Sequence, residues 1–505
     1  MPLSAKLAKC PSLPLHNLPV LLEHPELDPF EGLLKQITET AFTGGLQALS
    51  QAGRSVADIE NDRSAYRKFI RGCHYGFGVA QSHIADAVID LELRARKLTA
   101  TPVEKDARAE RVKLLRVLRN RQLVLRRVVD AILFQVMWPE HRASRYFATE
   151  QRLHPVDPDV MKRTAETAHR FNRDDRMKFN VVSDLTTIAQ IGDVVQVDRS
   201  DPYGRSWRVI ELKEGRMNEI LSGLLKEKAD ALQDDDLRRI TDTLGLKAAK
   251  QAQRMVRQTA RAENFINILA TDRGKHPIDD LPVRVTKERE YVGDYFEAIG
   301  RVWERAKDTG FGVEVVDRCL YVVAFRADMT KAGGSYAASA HTLYHLQRGS
   351  KECQLPDAAG AEGELAAMKE IVRGLVDVAK HNMRDWMGYS LFLIGNRDLI
   401  FDLLFERVVV LLYLDFETFF KLAAAQGVTL VWATRKETAR ASRLTNEIPG
   451  SPGAHGVRIT NRGDSEVDEL LLYGFFRRVF GDFTPPSDLL KLLKRRVVPA
   501  DLDKP

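Results

Sequence analysis

The chain has 505 residues, of which 44% are hydrophobic and 29% are charged, and it contains four cysteines. This length suffices for more than one hydrophobic core, and the formal net charge of +6 is too mild to indicate by itself a nucleic-acid-binding protein. Short apolar runs, scattered cysteines and the absence of a G-x-x-x-x-G-K-[ST] sequence argue against a transmembrane protein, a disulfide scaffold and a P-loop ATPase. Prolines interrupt the N-terminus where a signal peptide would be apolar, so we expect a cytoplasmic protein with no membrane partner.

The first strongly periodic stretch predicts a helical hairpin. Apolar residues recur every three or four positions from Tyr66 to Leu91, which is typical of an amphipathic helix. A break near residues 99–102 separates it from a second helix that ends before Trp138. We therefore assign residues 1–60 to an N-terminal extension and residues 61–140 to a helical region.

The second of these helices is rich in basic residues. Twelve lysines and arginines against three acidic residues lie between Arg94 and Arg127. One face of the helix is apolar and the rest is basic. Such a face would either follow a phosphate backbone or be an ordinary solvated helix surface.

The most informative segment runs from residue 191 to residue 213. Residues 194–197 and 207–212 have strand composition, and Asp-Pro-Tyr-Gly at 201–204 has the residue types of a tight turn. An antiparallel hairpin folded about this turn would bring Asp193 roughly opposite Glu211. The two-residue period of a strand would place Lys213 on the same face as Glu211.

Two carboxylates and an ammonium group at one place predict a particular chemistry. Carboxylate oxygens suit Mg²⁺ or Mn²⁺, which can polarise a phosphate and activate a water molecule. A lysine beside them can stabilise the charge that develops on phosphorus. The alternative is an exposed hairpin whose Glu211 and Lys213 form a surface ion pair.

An acidic residue, a hairpin and an E-x-K triplet on the next strand together resemble the PD-(D/E)XK nuclease superfamily, which has the restriction-endonuclease-like fold. The resemblance covers at most residues 140–330, and its motif falls on Asp193, Glu211 and Lys213. It implies that Asp193 and Glu211 are catalytic metal ligands for Mg²⁺ or Mn²⁺, with Lys213 as the charge-stabilising group. By analogy of architecture alone, it also implies a restriction or antiviral-defence effector.

Three further acidic residues are candidates for supporting roles. Asp184 lies just upstream, where the family often draws an additional ligand, but a turn-forming role is an equal alternative. The family also tends to take an acidic residue from the helix before the first core strand. Asp130 and Glu166 are candidates for that role, and a solvated helix face would explain either equally well.

Downstream of the hairpin, the sequence alternates between helical and strand patterns. Residues 218–244 and 247–268 are helix-like, a further helix is expected within 286–307, and strands flank a turn at Asp317. We assign residues 141–347 to a nuclease core with a helical insertion. Residues 348–364, rich in glycine and alanine, are a predicted linker.

Residues 365–505 are predicted to form a C-terminal α/β domain. A strand at 407–414, a helix at 416–426 capped by Asp415, and a strand at 428–434 have the pattern of a β-α-β unit. Closing helices are expected at 467–480 and 487–498. The predicted fold class is therefore α/β or α+β, with a mixed-sheet nuclease core between a helical region and an α/β domain.

These patterns lead to two hypotheses about function. The first is a Mg²⁺- or Mn²⁺-dependent nuclease that hydrolyses phosphodiester bonds in DNA, gated by an activating partner, a ligand or assembly into a homo-oligomer. The second is a non-catalytic nucleic-acid-binding or scaffold protein in which the hairpin is structural. Metal-dependent cleavage discriminates between them.

Overall fold

A computed structural model of the chain describes most of its helices and strands. The described residues are 21–51, 59, 62–102, 104–137, 156–189, 192–200, 206–212, 234–271, 273–275, 282–284, 293–327, 339, 343, 346, 371, 374–384, 388–434, 436–438, 456–462, 465–471 and 474–495. Contacts divide the chain into two compact units. The N-terminal unit comprises residues 22–287, and the C-terminal unit comprises residues 1–21 and 288–505.

The N-terminal unit combines long helices with a small sheet. Its helices are α1 (Phe30–Gln51), α2 (Arg63–Ala100), α3 (Arg108–Met137), α4 (Pro158–Asp174), α5 (Asp234–Leu244) and α6 (Leu246–Thr271). Its strands are β1 (Lys178–Val182), β2 (Val194–Asp198), β3 (Ser206–Ile210), β4 (Arg273–Lys275) and β5 (Pro282–Arg284). The helical hairpin predicted from the periodicity is confirmed as α2 and α3, since α2 ends at Ala100 and Thr101 caps it.

Helix α2 is the centre of this unit, because it contacts α1, α3, α4 and β1. Asp62 fixes its start by accepting hydrogen bonds from the backbone N–H groups of Ser64 and Ala65. Helix α1 lies within residues 1–60, the stretch that the sequence assigns to an N-terminal extension. Phe30, Leu34 and Ile37 on its inner face are at most 2% exposed, so α1 is part of the helical core.

The sheet of the N-terminal unit carries the predicted hairpin. Its strand order is β1-β2-β3, with both pairs antiparallel, and β2 meets β3 in a register from Val194 opposite Ile210 to Asp198 opposite Ser206. The hairpin expected about Pro202 is therefore confirmed, although the turn itself lies outside the described residues.

Side chains from two helices cover the outer edge of β1. Gln81 on α2 donates to the carbonyl oxygen of Asn180 and accepts from the backbone N–H of Val182. Asn172 on α4 accepts from the backbone N–H of Asn180 and donates to its carbonyl oxygen. These amides satisfy groups that an adjacent strand would otherwise pair, so the edge is closed to further strands.

The C-terminal unit contains two antiparallel sheets. Its helices are α7 (Phe296–Thr309), α8 (Val378–Arg384), α9 (Arg397–Leu404), α10 (Phe416–Ala425), α11 (Gly474–Phe480) and α12 (Pro486–Arg495). Its strands are β6 (Phe311–Val316), β7 (Leu320–Arg326), β8 (Val376–Asp377), β9 (Val408–Leu414), β10 (Val428–Trp432), β11 (Val457–Arg462) and β12 (Ser465–Leu471). The strand orders are β6-β7-β9-β8 and β10-β11-β12.

Several elements of this unit occur where the sequence predicts them. Asp317 and Arg318 have positive φ angles in the turn between β6 and β7. Asp415 caps α10 by accepting from the backbone N–H of Thr418. Gly427, with a φ angle of 80°, then separates α10 from β10.

The pairing of these strands differs from the predicted organisation. Strand β9 lies between β7 and β8, so neither of its edges is available to β10, and the expected β-α-β unit does not form. Pairing of β7 with β9 also places residues 311–326 in one sheet with residues 408–414, whereas the sequence analysis assigned them to separate domains. A helix is expected from the sequence at 467–480, but residues 467–471 belong to strand β12, which pairs with β11, and the helix α11 begins only at Gly474.

Helices combined with antiparallel sheets define the chain as an α+β protein, which confirms the broader class. None of the helices in the described ranges has an apolar stretch long enough to cross a membrane. The predicted linker, residues 348–364, lies outside the described residues.

Candidate functional site

Asp193 lies where the three strands of the N-terminal sheet come to an end. Its backbone N–H donates to the carbonyl oxygen of Ile210 at 3.0 Å, and its carbonyl oxygen accepts from the backbone N–H of Ser183 at 2.9 Å. Its carboxylate Oδ2 accepts from the backbone N–H of Leu212 at 2.6 Å. Asp193 is thus bonded to both chain neighbours of Glu211, which orients its carboxylate at the end of β3.

The Glu211 side chain lies beside the Gly192–Asp193 backbone. Gly192 has a φ angle of 60°, a backbone conformation that residues other than glycine rarely adopt. A Cβ atom there would lie 2.5 Å from Cγ1 of Val209 and 3.5 Å from Oε1 of Glu211. Glycine at this position therefore allows the two segments to approach, and both carboxylate residues are partly buried. The structure brings together the two acidic residues that the sequence pairs.

Asp184 is close to this pair along the chain but is exposed. It occupies a single 3-10 turn, Ser183–Leu185, directly after β1, next to the Ser183 that bonds Asp193. Burial lowers the pKa of the Arg126 guanidinium, and Asp184 is the leading carboxylate that opposes this shift. Arg126 is only 4% exposed, so this cation on α3 is almost completely buried.

Asp130 does not lie on a solvated face and is not available as a metal ligand. It is fully buried on α3, and Oδ2 accepts from Nη1 of Arg127 at 3.0 Å and from the Thr187 hydroxyl at 2.6 Å. Oδ1 accepts from the backbone N–H of Thr187 at 2.8 Å. Burial raises the pKa of Asp130, and Arg127 and Thr187 oppose that shift. Glu166, on α4, is exposed, as on a solvated face.

The carboxylate oxygens of Asp193 and Glu211 are the kind of ligand that a hard divalent cation such as Mg²⁺ binds. Mg²⁺ is commonly held through one or two carboxylates, with water and substrate phosphates completing its shell. Asp193 and Glu211 supply that minimum. Across the described ranges, no group of three or more His, Cys, Asp or Glu residues could hold a metal ion, so Asp184 does not join the pair in such a group. Lys213 lies outside the described residues.

The basic stretch of α3 divides into a buried and an exposed part. Arg121, Arg126 and Arg127 are at most 4% exposed, so they cannot follow a phosphate backbone as part of a solvated face. Arg121 instead donates to the carbonyl oxygens of Leu22 and Asp28 and anchors the segment before α1. The basic residues that remain exposed on this helix are Arg108, Lys113, Arg116 and Arg119.

The C-terminal unit has a cluster of three charged side chains that the sequence did not reveal, of which Lys380 and Asp377 are buried and Glu406 is partly exposed. Lys380 on α8 lies with Nζ 2.9 Å from Oδ2 of Asp377 and 3.6 Å from Oε1 of Glu406. Glu406 has a φ angle of 54° just before β9. The cluster ties α8 and β8 to the start of β9. No local pattern signals it, because Lys380 and Glu406 are far apart in the chain.

No family model, no curated protein and no solved structure matches this chain. Its own structure is that of an α+β protein in which Asp193 and Glu211 lie at the end of an antiparallel hairpin.

Proposed function

We propose that this chain is a metal-dependent nuclease of the PD-(D/E)XK type that hydrolyses phosphodiester bonds in DNA. Asp193 and Glu211 would hold Mg²⁺ or Mn²⁺, and Lys213 would stabilise the charge that develops on phosphorus. The observation that carries the proposal is that Asp193 is bonded to both chain neighbours of Glu211. Continuing the register of β2 and β3 by one residue puts Asp193 opposite Glu211, so the two carboxylates would be near enough to share a cation.

The negative charges of Asp193 and Glu211 would favour the binding of a cation. A divalent cation held by Asp193 and Glu211 would polarise a phosphate oxygen and would lower the pKa of a bound water. The hydrogen bond from Leu212 to Oδ2 of Asp193 fixes the orientation of one ligand before any cation binds. The antiparallel meander β1-β2-β3, with an acidic residue before β2 and another after β3, agrees with the nuclease arrangement expected from the sequence.

The exposed part of α3 is the surface that we propose for contact with the DNA backbone. Arg108, Lys113, Arg116 and Arg119 lie in the first half of the helix. Arg126, whose charged form the Asp184 carboxylate favours, lies farther along the same helix, about 10 Å beyond Arg119 at the rise of an α-helix. Cationic side chains along this helix would make binding fall as salt concentration rises.

The test is a cleavage assay with defined substrates and a matched control. The purified chain is incubated with plasmid, linear duplex and single-stranded DNA and with RNA, in Mg²⁺, Mn²⁺ or EDTA. We expect metal-dependent cleavage that is lost in Asp193→Asn, Glu211→Ala and Lys213→Ala. Asp198→Asn, at the opposite end of β2, should cleave as the wild type does. Cleavage that persists in EDTA or in the Glu211 variant would refute the proposed site.

One observation favours the alternative of a non-catalytic nucleic-acid-binding or scaffold protein. The short hydrogen bond from Leu212 to Asp193 is also what a purely structural carboxylate would make, since it satisfies a backbone group beyond the end of a strand. That alternative predicts salt-sensitive DNA binding, no cleavage in any metal, and equal binding by the wild type and the Glu211→Ala variant.

A further inference from the structure

The segment between β1 and β2 is irregular but almost completely buried. From Ser183 to Ala189, every residue except Asp184 is at most 3% exposed. Polar backbone groups buried outside a helix or sheet need specific hydrogen-bond partners. Those partners determine the conformation of the segment that leads to Gly192 and Asp193.

Asp130 on α3 accepts two hydrogen bonds from this segment. Its two carboxylate oxygens accept from the backbone N–H and the hydroxyl of Thr187, at 2.8 Å and 2.6 Å. The Arg127 guanidinium donates to the same carboxylate at 3.0 Å. Asp130, Arg127 and Thr187 are each 0% exposed, so water does not compete for these bonds.

The peptide bond joins Thr187 to Thr186, and hydrogen bonds lead from Thr186 through Ser183 to Asp193. The Thr186 hydroxyl donates to the Ser183 carbonyl oxygen at 2.8 Å and accepts from the Ala189 backbone N–H at 2.8 Å, which closes the segment on itself. Ser183 then donates its backbone N–H to the carbonyl oxygen of Asp193 at 2.9 Å. The orientation of Asp193 is thus connected to α3 through a short bonded path.

A buried ion pair such as Arg127–Asp130 contributes little net stability, because the desolvation of both charges offsets their attraction. What Asp130 provides is a pair of directed acceptors at a fixed position on a helix. An apolar residue of similar size could fill the volume, but it could not hold Thr187.

We propose that Asp130 and Thr187 are positioning residues for the Asp193–Glu211 pair, and that they act by fixing the segment 183–189 on α3. This inference rests on the proposed function. Neither residue touches the cation or the substrate. Their loss should weaken divalent-cation binding at the pair without removing a ligand.

Thr187 gives the sharper test, because loss of Asp130 would leave Arg127 buried without its carboxylate. Thr187→Val removes only the hydroxyl, and Thr187→Ser restores it. Thr38→Val is the matched control, since Thr38 is 1% exposed and its hydroxyl bonds only to carbonyl oxygens of its own helix, α1. Titration calorimetry with Mn²⁺ should give about tenfold weaker binding for Thr187→Val, as is usual for groups behind a metal ligand. Thr187→Ser and Thr38→Val should bind as the wild type does.

Equal Mn²⁺ affinity in Thr187→Val and Thr38→Val would overturn the positioning role, whatever their melting temperatures. If the wild type shows no Mn²⁺ binding that depends on Glu211, the proposed function itself fails. The positioning role is then decided by amide hydrogen exchange at Leu212, whose N–H donates to Asp193. Faster exchange in Thr187→Val than in Thr38→Val supports the role, and equal exchange overturns it.

Discussion

At the scale of single residues, the stability of this molecule depends on polar side chains that are buried in its core, and His74 is one of them. His74 on α2 is 3% exposed, its ring lies 5.2 Å from that of Phe179, and Nδ1 bonds to the carbonyl oxygen of Arg176 at 2.7 Å. Burial lowers its pKa to about 4, with a smaller effect from Arg199 in the same direction and opposing effects from Arg176, Asp175 and Asp198. The histidine is therefore neutral in the folded protein at ordinary pH.

This shift predicts a loss of stability in weak acid. The unfolded chain protonates His74 near its ordinary pKa of about 6.5, whereas the folded chain resists protonation down to about 4. The stabilisation is complete above the unfolded pKa and is lost as pH falls towards the folded one. The free energy of unfolding should drop by about 2 kcal/mol between about pH 7 and about pH 5 because of this residue.

Urea unfolding of the wild type and His74→Asn at both pH values measures that contribution. The variant should start from lower stability but lose about 2 kcal/mol less between the two pH values. The same pH dependence in both proteins would show that His74 is not the responsible group.

At the scale of elements, the packing of α1 on α2 depends on glycine. A Cβ atom on Gly44 would lie 2.2 Å from the carbonyl oxygen of Gly72, and one on Gly76 would lie 2.7 Å from that of Thr40. Both obstacles are backbone atoms, so the helices would have to move apart to admit a methyl group. The two helices cross more closely than larger residues would permit.

Gly44→Ala should therefore destabilise the protein by about 1–3 kcal/mol, although alanine is the better helix former. Gly32→Ala in the same helix is the matched control, because a Cβ atom there has nothing within 4 Å. It should stabilise the protein by about 0.5 kcal/mol. Chemical denaturation of both variants separates packing from helix propensity, and a stabilised Gly44 variant would contradict the close approach.

The elements also show what the sequence can and cannot predict. The helices α2 and α3, the cap at Asp415 and the turn at Asp317 depend on neighbours in the chain, and a local pattern is enough to place them. The hairpin that joins Asp193 to Glu211 is likewise a short-range event. Partners far apart in the chain leave no such pattern. From the sequence, Arg121 and Asp130 are expected on a solvated helix face, but segments far away in the chain bury them. The sequence of β9 likewise does not indicate that β7 and β8 pair with its two edges.

At the scale of the whole molecule, each unit has its own core. Phe179 is fully buried in the N-terminal unit, and Phe419 is fully buried in the C-terminal unit among Phe420, Phe475 and Phe476. The candidate site belongs to the N-terminal unit, whereas the Lys380 cluster belongs to the other. A defect in one core should therefore first affect the chemistry or the contacts of its own unit.

Hydrogen exchange measured by mass spectrometry tests this division. Phe179→Ala and Phe419→Ala should each cost about 3–5 kcal/mol. We expect Phe179→Ala to accelerate exchange in peptides from 22–287 and Phe419→Ala to accelerate it in peptides from 293–495. Acceleration of both regions by either variant would mean that the two units unfold as one.

The amides that close the edge of β1 have a consequence for the order in which the chain folds. Gln81 on α2 bonds to Val182 on β1, which is synthesised 101 residues later. At ordinary rates of synthesis, about 5 to 20 s pass before that strand leaves the ribosome. We therefore expect the helices that precede the hairpin, α1 to α4, to assemble first and the hairpin to dock on them afterwards, so that Asp193 and Glu211 reach their positions only after these helices have packed.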